Sequence, residues 1–128
     1  NGNKGPLATG SKAQVPSSDK SIKVEKAKGP DAYTVADIHE KAAKLDGKKA
    51  VVKGKVVKVS SGILQRNWIH IQDGSGKASA GTHDLVVTSQ DLPSIGDTIT
   101  ASGVIHKDKD FGSGYKYGVI MEDAGIKK

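Results

Sequence analysis

Two hydrophobic periods divide the chain, a helical one just after Thr34 and a two-residue one from about position 49 onward. Val35, Ile38, Ala42 and Leu45 fall at three- and four-residue intervals, which lines them along one face of a helix. Thr34 stands where an N-cap belongs, with Asp37 three residues on at the spacing of a capping box, and Gly47 supplies a stop. The pattern predicts a short amphipathic helix over 35–45, whose apolar stripe must dock on the C-terminal part of the chain.

From position 49 the segments read as strands. KAVVKGKVVKVS, 49–60, is a β-branched run interrupted by Gly54, and a glycine inside a strand marks a bulge or tight bend. NWIHIQ, 67–72, alternates and ends in the turn Asp73-Gly74-Ser75-Gly76. DLVVTS, 84–89, is a third strand; Pro93 and Gly96 bracket a turn into TITASGVIHK, 98–107; and YKYGVIME, 115–122, closes the series. There is no βαβ alternation. Five short antiparallel strands, the first long and bent, close more readily into a barrel than into a sandwich, which uses seven or more. The expected class is therefore all-β, a five-stranded barrel behind one short helix over 34–123. Its core is expected to contain Val52, Val56, Ile69, Ile71, Leu85, Val87, Ile99 and Val119.

Outside that domain the pattern fades. Residues 1–33 hold three of the four prolines (Pro6, Pro16, Pro30) among Gly, Ser and Lys, too little apolar surface to offset the entropy of ordering, and are expected to be a flexible tail. Residues 124–128 are expected to be a short C-terminal tail. No run of about 18 apolar residues exists, so no segment is expected to span a bilayer as a helix. The chain begins at Asn1 instead of Met and contains no cysteine; a preceding piece, cleaved or left out, could be a signal sequence, and the expectation is an exported protein, periplasmic or lipid-anchored, with a cytoplasmic location open.

The stretch GKKAVVKGKVVKVSSGILQRNWIHIQDGSG, followed by DLVVTS and GDTITASGVIHKDKDFGSGYKYGVIMED, resembles exported bacterial proteins that carry an oligonucleotide/oligosaccharide-binding domain of the anticodon-binding type. The resemblance rests on the spacing of Val52, Gly54, Val56, Trp68, Ile71 and the DGSG turn, and covers about 90 residues. It implies the five-stranded barrel and a ligand on the outer face of its second and third strands. It is far less specific for the identity of that ligand.

Charge and side chains narrow the options. The net charge is +6, but the first 33 residues hold six lysines against three acidic groups, so half of the excess lies outside the domain. That is too little for a tight duplex binder and enough for weak, salt-sensitive binding. With Ile69 and Ile71 facing inward, Trp68, His70 and Gln72 face outward, beside Arg66 and Asn67. An outward Trp there suits base stacking; alternatively its ring covers a barrel edge or packs on the helix. The loop 107–116 offers Lys107, Lys109, Phe111, Tyr115 and Lys116, next to Tyr117, although Asp108 and Asp110 offset the lysines. Phe111 could instead fold back onto Tyr117. His39, His70, His83 and His106 never fall at metal-ligand spacing, and no activated serine or phosphate-binding loop is visible, so neither metal, cofactor nor catalysis is expected. The reading is a monomeric, non-enzymatic binding module that takes single-stranded nucleic acid weakly. Its alternative is an adaptor for an envelope protein or glycan.

Overall fold

A computed structural model describes residues 15–128. The capping box forms in full: the Asp37 amide donates to the Thr34 hydroxyl at 3.0 Å and the Thr34 amide to the Asp37 carboxylate at 3.1 Å. The expected single helix is two, α1 (Val35–Glu40) and α2 (Ala42–Leu45), because Lys41 leaves helical dihedrals between them. The break does not spoil the stripe, since Val35, Ile38, Ala42 and Leu45 are all buried. Gly47, at φ +81, then turns the chain into the first strand.

Among the described residues five strands form: β1 (Lys49–Ile63), β2 (Arg66–Gln72), β3 (Leu85–Ser89), β4 (Thr98–Asp110) and β5 (Lys116–Lys127). They make a sheet that closes into a ring in the order β1-β2-β3-β5-β4. β1 belongs to both sides of the ring. Its first half pairs with β4, from Lys49↔Val104 to Lys55↔Thr98, and its second half with β2, from Lys55↔Gln72 to Ile63↔Arg66. Gly54 sits where the strand changes partners, and a Cβ there would lie 3.1 Å from the Gln72 carbonyl oxygen and 3.2 Å from the Ile71 Cβ. Glycine lets the two strands approach at the bend.

The seam between β3 and β5 is of another kind. These strands run parallel and register at Val87↔Met121. Side-chain hydroxyls reinforce the junction: Ser89 Oγ donates to the Ala124 carbonyl at 2.6 Å, and the Asp123 amide donates to Thr88 Oγ1 at 3.2 Å. Thr88 and Ser89 are fully enclosed, and these bonds satisfy groups that would otherwise be buried without partners.

Every residue expected in the core is buried, and the helices add Val35, Ile38, Ala42 and Leu45 to the same cluster. The termini differ from expectation. β5 continues through Ala124 and Ile126, so 124–128 is not a loose tail; Asp123, at φ +54, interrupts the alternation that would have revealed the extension. Residues 1–14 lie outside the described residues. Residues 15–33 contain no helix or strand, yet they pack on the ring: Ile22 and Ala32 are buried, Ala32 bridges to Val51, and the Val24 amide donates to the Asp73 carbonyl at 3.1 Å. In the described part of the segment expected to be a tail, 15–33, several backbone groups are thus hydrogen-bonded to the domain. No helix among the described residues is long and apolar enough to cross a membrane.

Candidate functional site

Alternation along β2 divides its side chains as expected. Ile69 and Ile71 enter the main core, whereas Trp68 joins a second cluster with Val86, Tyr117 and Ile120. Of the two readings of Trp68, the exposed stacking platform is not found, for the ring is only 3% exposed. The hairpin between β4 and β5 folds over it. Tyr117 stacks on the indole at 5.5 Å and 20°, Phe111 meets it edge-on at 5.1 Å, and Tyr115 lies tilted at 5.6 Å. The indole N–H donates to the Ile63 carbonyl at 2.7 Å. Trp68 is an anchor for the hairpin, and four of the five aromatic residues meet in one place.

The cations around this cluster are largely committed. Glu122, with its side chain 9% exposed, lies 3.6 Å from Arg66, 3.4 Å from Lys109 and 3.6 Å from His106. Arg66 also sits over the Trp68 and Phe111 rings, and Lys109 over Phe111. One enclosed carboxylate thus gathers Arg66 of β2 and Lys109 of β4, with His106 beside them, and drawing the two cations toward a ligand would leave that carboxylate poorly compensated. Lys107 pairs with Asp108 at 2.8 Å. Asn67 is structural, accepting from the Gly62 amide and donating to the Asp91 carbonyl, both at 3.0 Å. Lys116 remains exposed at the start of β5.

His70 and Gln72 face outward but are covered as well, which corrects their expected exposure. Asp84 organises them: one carboxylate oxygen takes His70 Nδ1–H at 2.7 Å and the other takes Gln72 Nε2–H at 3.2 Å. On the far side of Gln72 lies the chain at residues 15–19. Gln72 Nε2 donates to the Ser17 carbonyl at 3.1 Å, Gln72 Oε1 accepts from the Asp19 amide at 3.3 Å, and His83 Nε2–H donates to the Pro16 carbonyl at 2.8 Å.

An open groove survives beneath the hairpin. It encloses about 270 Å³ and is lined by Lys58, Ser60, Ile63, Trp68, His70, Tyr115 and Tyr117. It leads toward a row of cations not singled out from the sequence. Lys53 and Lys55 alternate with the buried Val52 and Val56 and so face outward, and Lys58 shares that face after the register shift, paired with His70. The lysines of KAVVKGKVVKVS carried that signal in their spacing. Glu122 and Asp84 had none, because their importance comes from residues brought together by folding.

A second cavity, of about 340 Å³, lies between α1, the loop before β3 and β5, lined by His39, Thr82, Asp84, Lys107 and Val119 among others. Burial holds the His39 imidazole below its ordinary pKa, opposed by its hydrogen bond to the Asp84 carbonyl at 2.7 Å. The unfolded chain therefore takes up this proton first as the pH falls. Stability contributed by neutral His39 is complete above about pH 6.5 and drains as the pH drops below it. Urea titrations between pH 8 and 5 are expected to reveal this decline, and His39→Gln to flatten it; an unchanged slope would remove His39 as the cause.

Among the described residues no group of three or more His, Asp or Glu is arranged to hold a metal ion. Compared with known proteins, the chain matches no family model and no curated protein.

Proposed function

We propose that the chain is a non-enzymatic binding module of the oligonucleotide/oligosaccharide-binding type, and that it holds single-stranded nucleic acid weakly along the outer face of β1 and β2. The closed order β1-β2-β3-β5-β4, with a long bent β1 shared between two neighbours, supports the barrel assignment. The observation that carries the ligand is the groove beneath the hairpin, where aromatic walls from Tyr115 and Tyr117 meet Lys58 in line with Lys55 and Lys53. A base has a ring to lie against, and the backbone phosphates have a row of cations to follow. In this reading Trp68 is the floor of the site, and Tyr115, which is partly exposed, is the stacking surface.

A short oligothymidylate at low salt is expected to shift the amides of residues 53–60 and 115–117. Lys55→Ala and Lys58→Ala should each lower the slope of log affinity against log salt by roughly 0.7, the value for one single-strand phosphate contact. Tyr115→Ala should weaken binding about 5- to 150-fold, the equivalent of one lost stacking contact. Shifts confined to other surfaces, or a salt slope indifferent to both lysines, would end the nucleic-acid reading. The adaptor reading draws on a different observation, the Gln72 amide that reads an extended backbone at Ser17 and Asp19, and an envelope protein would then be the partner.

A further inference from the structure

Residues 15–19 cross the outer face beside the groove. A shallow depression lined by Val15, Pro16, Ser17, Val57 and Lys58 joins this strap to the groove, since Lys58 borders both. The strap is seated by backbone recognition. Asp84 fixes which way the Gln72 amide points, so that its NH2 meets the Ser17 carbonyl and its oxygen the Asp19 amide, as a neighbouring strand would. His83 completes the seat at the Pro16 carbonyl. Asp19, an exposed carboxylate that bonds the Ser21 amide and hydroxyl, lies within electrostatic reach of Lys55. The strap therefore borders the groove at Lys58 and brings an anion toward Lys55.

We propose that residues 15–19 are an intramolecular competitor for the binding face: the strap holds the path from the groove to Lys55 and Lys53, and a single strand long enough to use both must displace it. This rests on the nucleic-acid reading above. It adds regulation, because anything that releases the strap raises affinity without touching the ligand contacts. Release breaks three partly buried hydrogen bonds, from Gln72 and His83 to the backbone at Pro16, Ser17 and Asp19, while Ile22 stays buried as the anchor from which the strap swings.

The test uses the full chain and a ten-residue oligothymidylate at low salt, followed by amide NMR and hydrogen exchange. On saturation the wild-type Asp19 amide should lose protection and the signals of residues 15–19 should move toward disordered values. Asp19→Pro, which removes the amide that donates to Gln72 and lies far from the core, should bind about 3- to 10-fold more tightly, the factor by which a mostly closed strap reduces the competent population. Asp19→Ala keeps the amide and should give a smaller gain, through the lost anion alone. Binding to the wild type with the Asp19 amide still protected overturns the competitor, as does an equal affinity in Asp19→Pro once His83 and Ser17 signals show its strap released. Absence of binding in both the wild type and Asp19→Pro defeats the nucleic-acid reading itself, and the competitor with it.

Discussion

Trp68→Ala is expected to cost about 3–5 kcal/mol of stability, the range for truncating a large buried aromatic side chain. The indole is enclosed by Tyr117, Phe111 and Tyr115, and its N–H is bonded to Ile63. Removing it deletes a large apolar contact area and leaves the Ile63 carbonyl without its donor. The hairpin is tied to β2 through Glu122 and Arg66 and internally through Glu122 and Lys109, so little relief by collapse is expected. Urea denaturation measures the loss, and Tyr115→Ala, at a partly exposed ring, should cost clearly less. A change below about 1 kcal/mol would mean that the hairpin does not rest on Trp68 in solution. Were the indole an exposed stacking platform, its truncation would spare stability and abolish binding instead.

Ile71→Ala should lower stability by about 2–5 kcal/mol. Ile71 is completely buried, pairs with Val56 on one side and Leu85 on the other, and faces the point where β1 bends at Gly54. Its neighbours belong to two ladders of the ring, so they cannot move inward to fill the cavity without breaking register. A neutral result in the same denaturation series would contradict the assignment of the β2 faces.

Ile71 and Trp68 mark how far the sequence could be read. The core was legible because a strand turns one side chain in two to each face, and Ile69 and Ile71 of NWIHIQ kept that rhythm, whereas DLVVTS is apolar on both faces, with Leu85 and Val87 in the main core and Val86 in the second cluster. The helix start was legible because Thr34 and Asp37 are neighbours along the chain. What covers Trp68 was not, since Phe111 and Tyr115 arrive from a distant hairpin and an outward aromatic looks the same bare or covered. The strap left no trace in the pattern, for Gln72 holds it through backbone atoms common to every residue. The DGSG turn was visible as a turn, but its second task was hidden. Asp73 accepts from the Val35 amide and Ser75 Oγ from the Ala36 amide, both at 2.9 Å, so the turn also caps the helix.

Ring closure has a consequence for how the molecule fails. A closed sheet has no exposed edge and offers nothing to a neighbouring chain seeking a strand partner. That protection is as strong as its least secured junction, and the parallel meeting of β3 with β5 depends on two hydroxyls, Thr88 and Ser89, to supplement its ladder. If that junction parts, the edge uncovered is LVVTS: short, β-branched, uncharged and free of proline. Such a segment is a nucleus for intermolecular β-pairing. The hydroxyls at the end of β3 thus guard solubility as well as geometry, and a variant lacking them would fail first by aggregating.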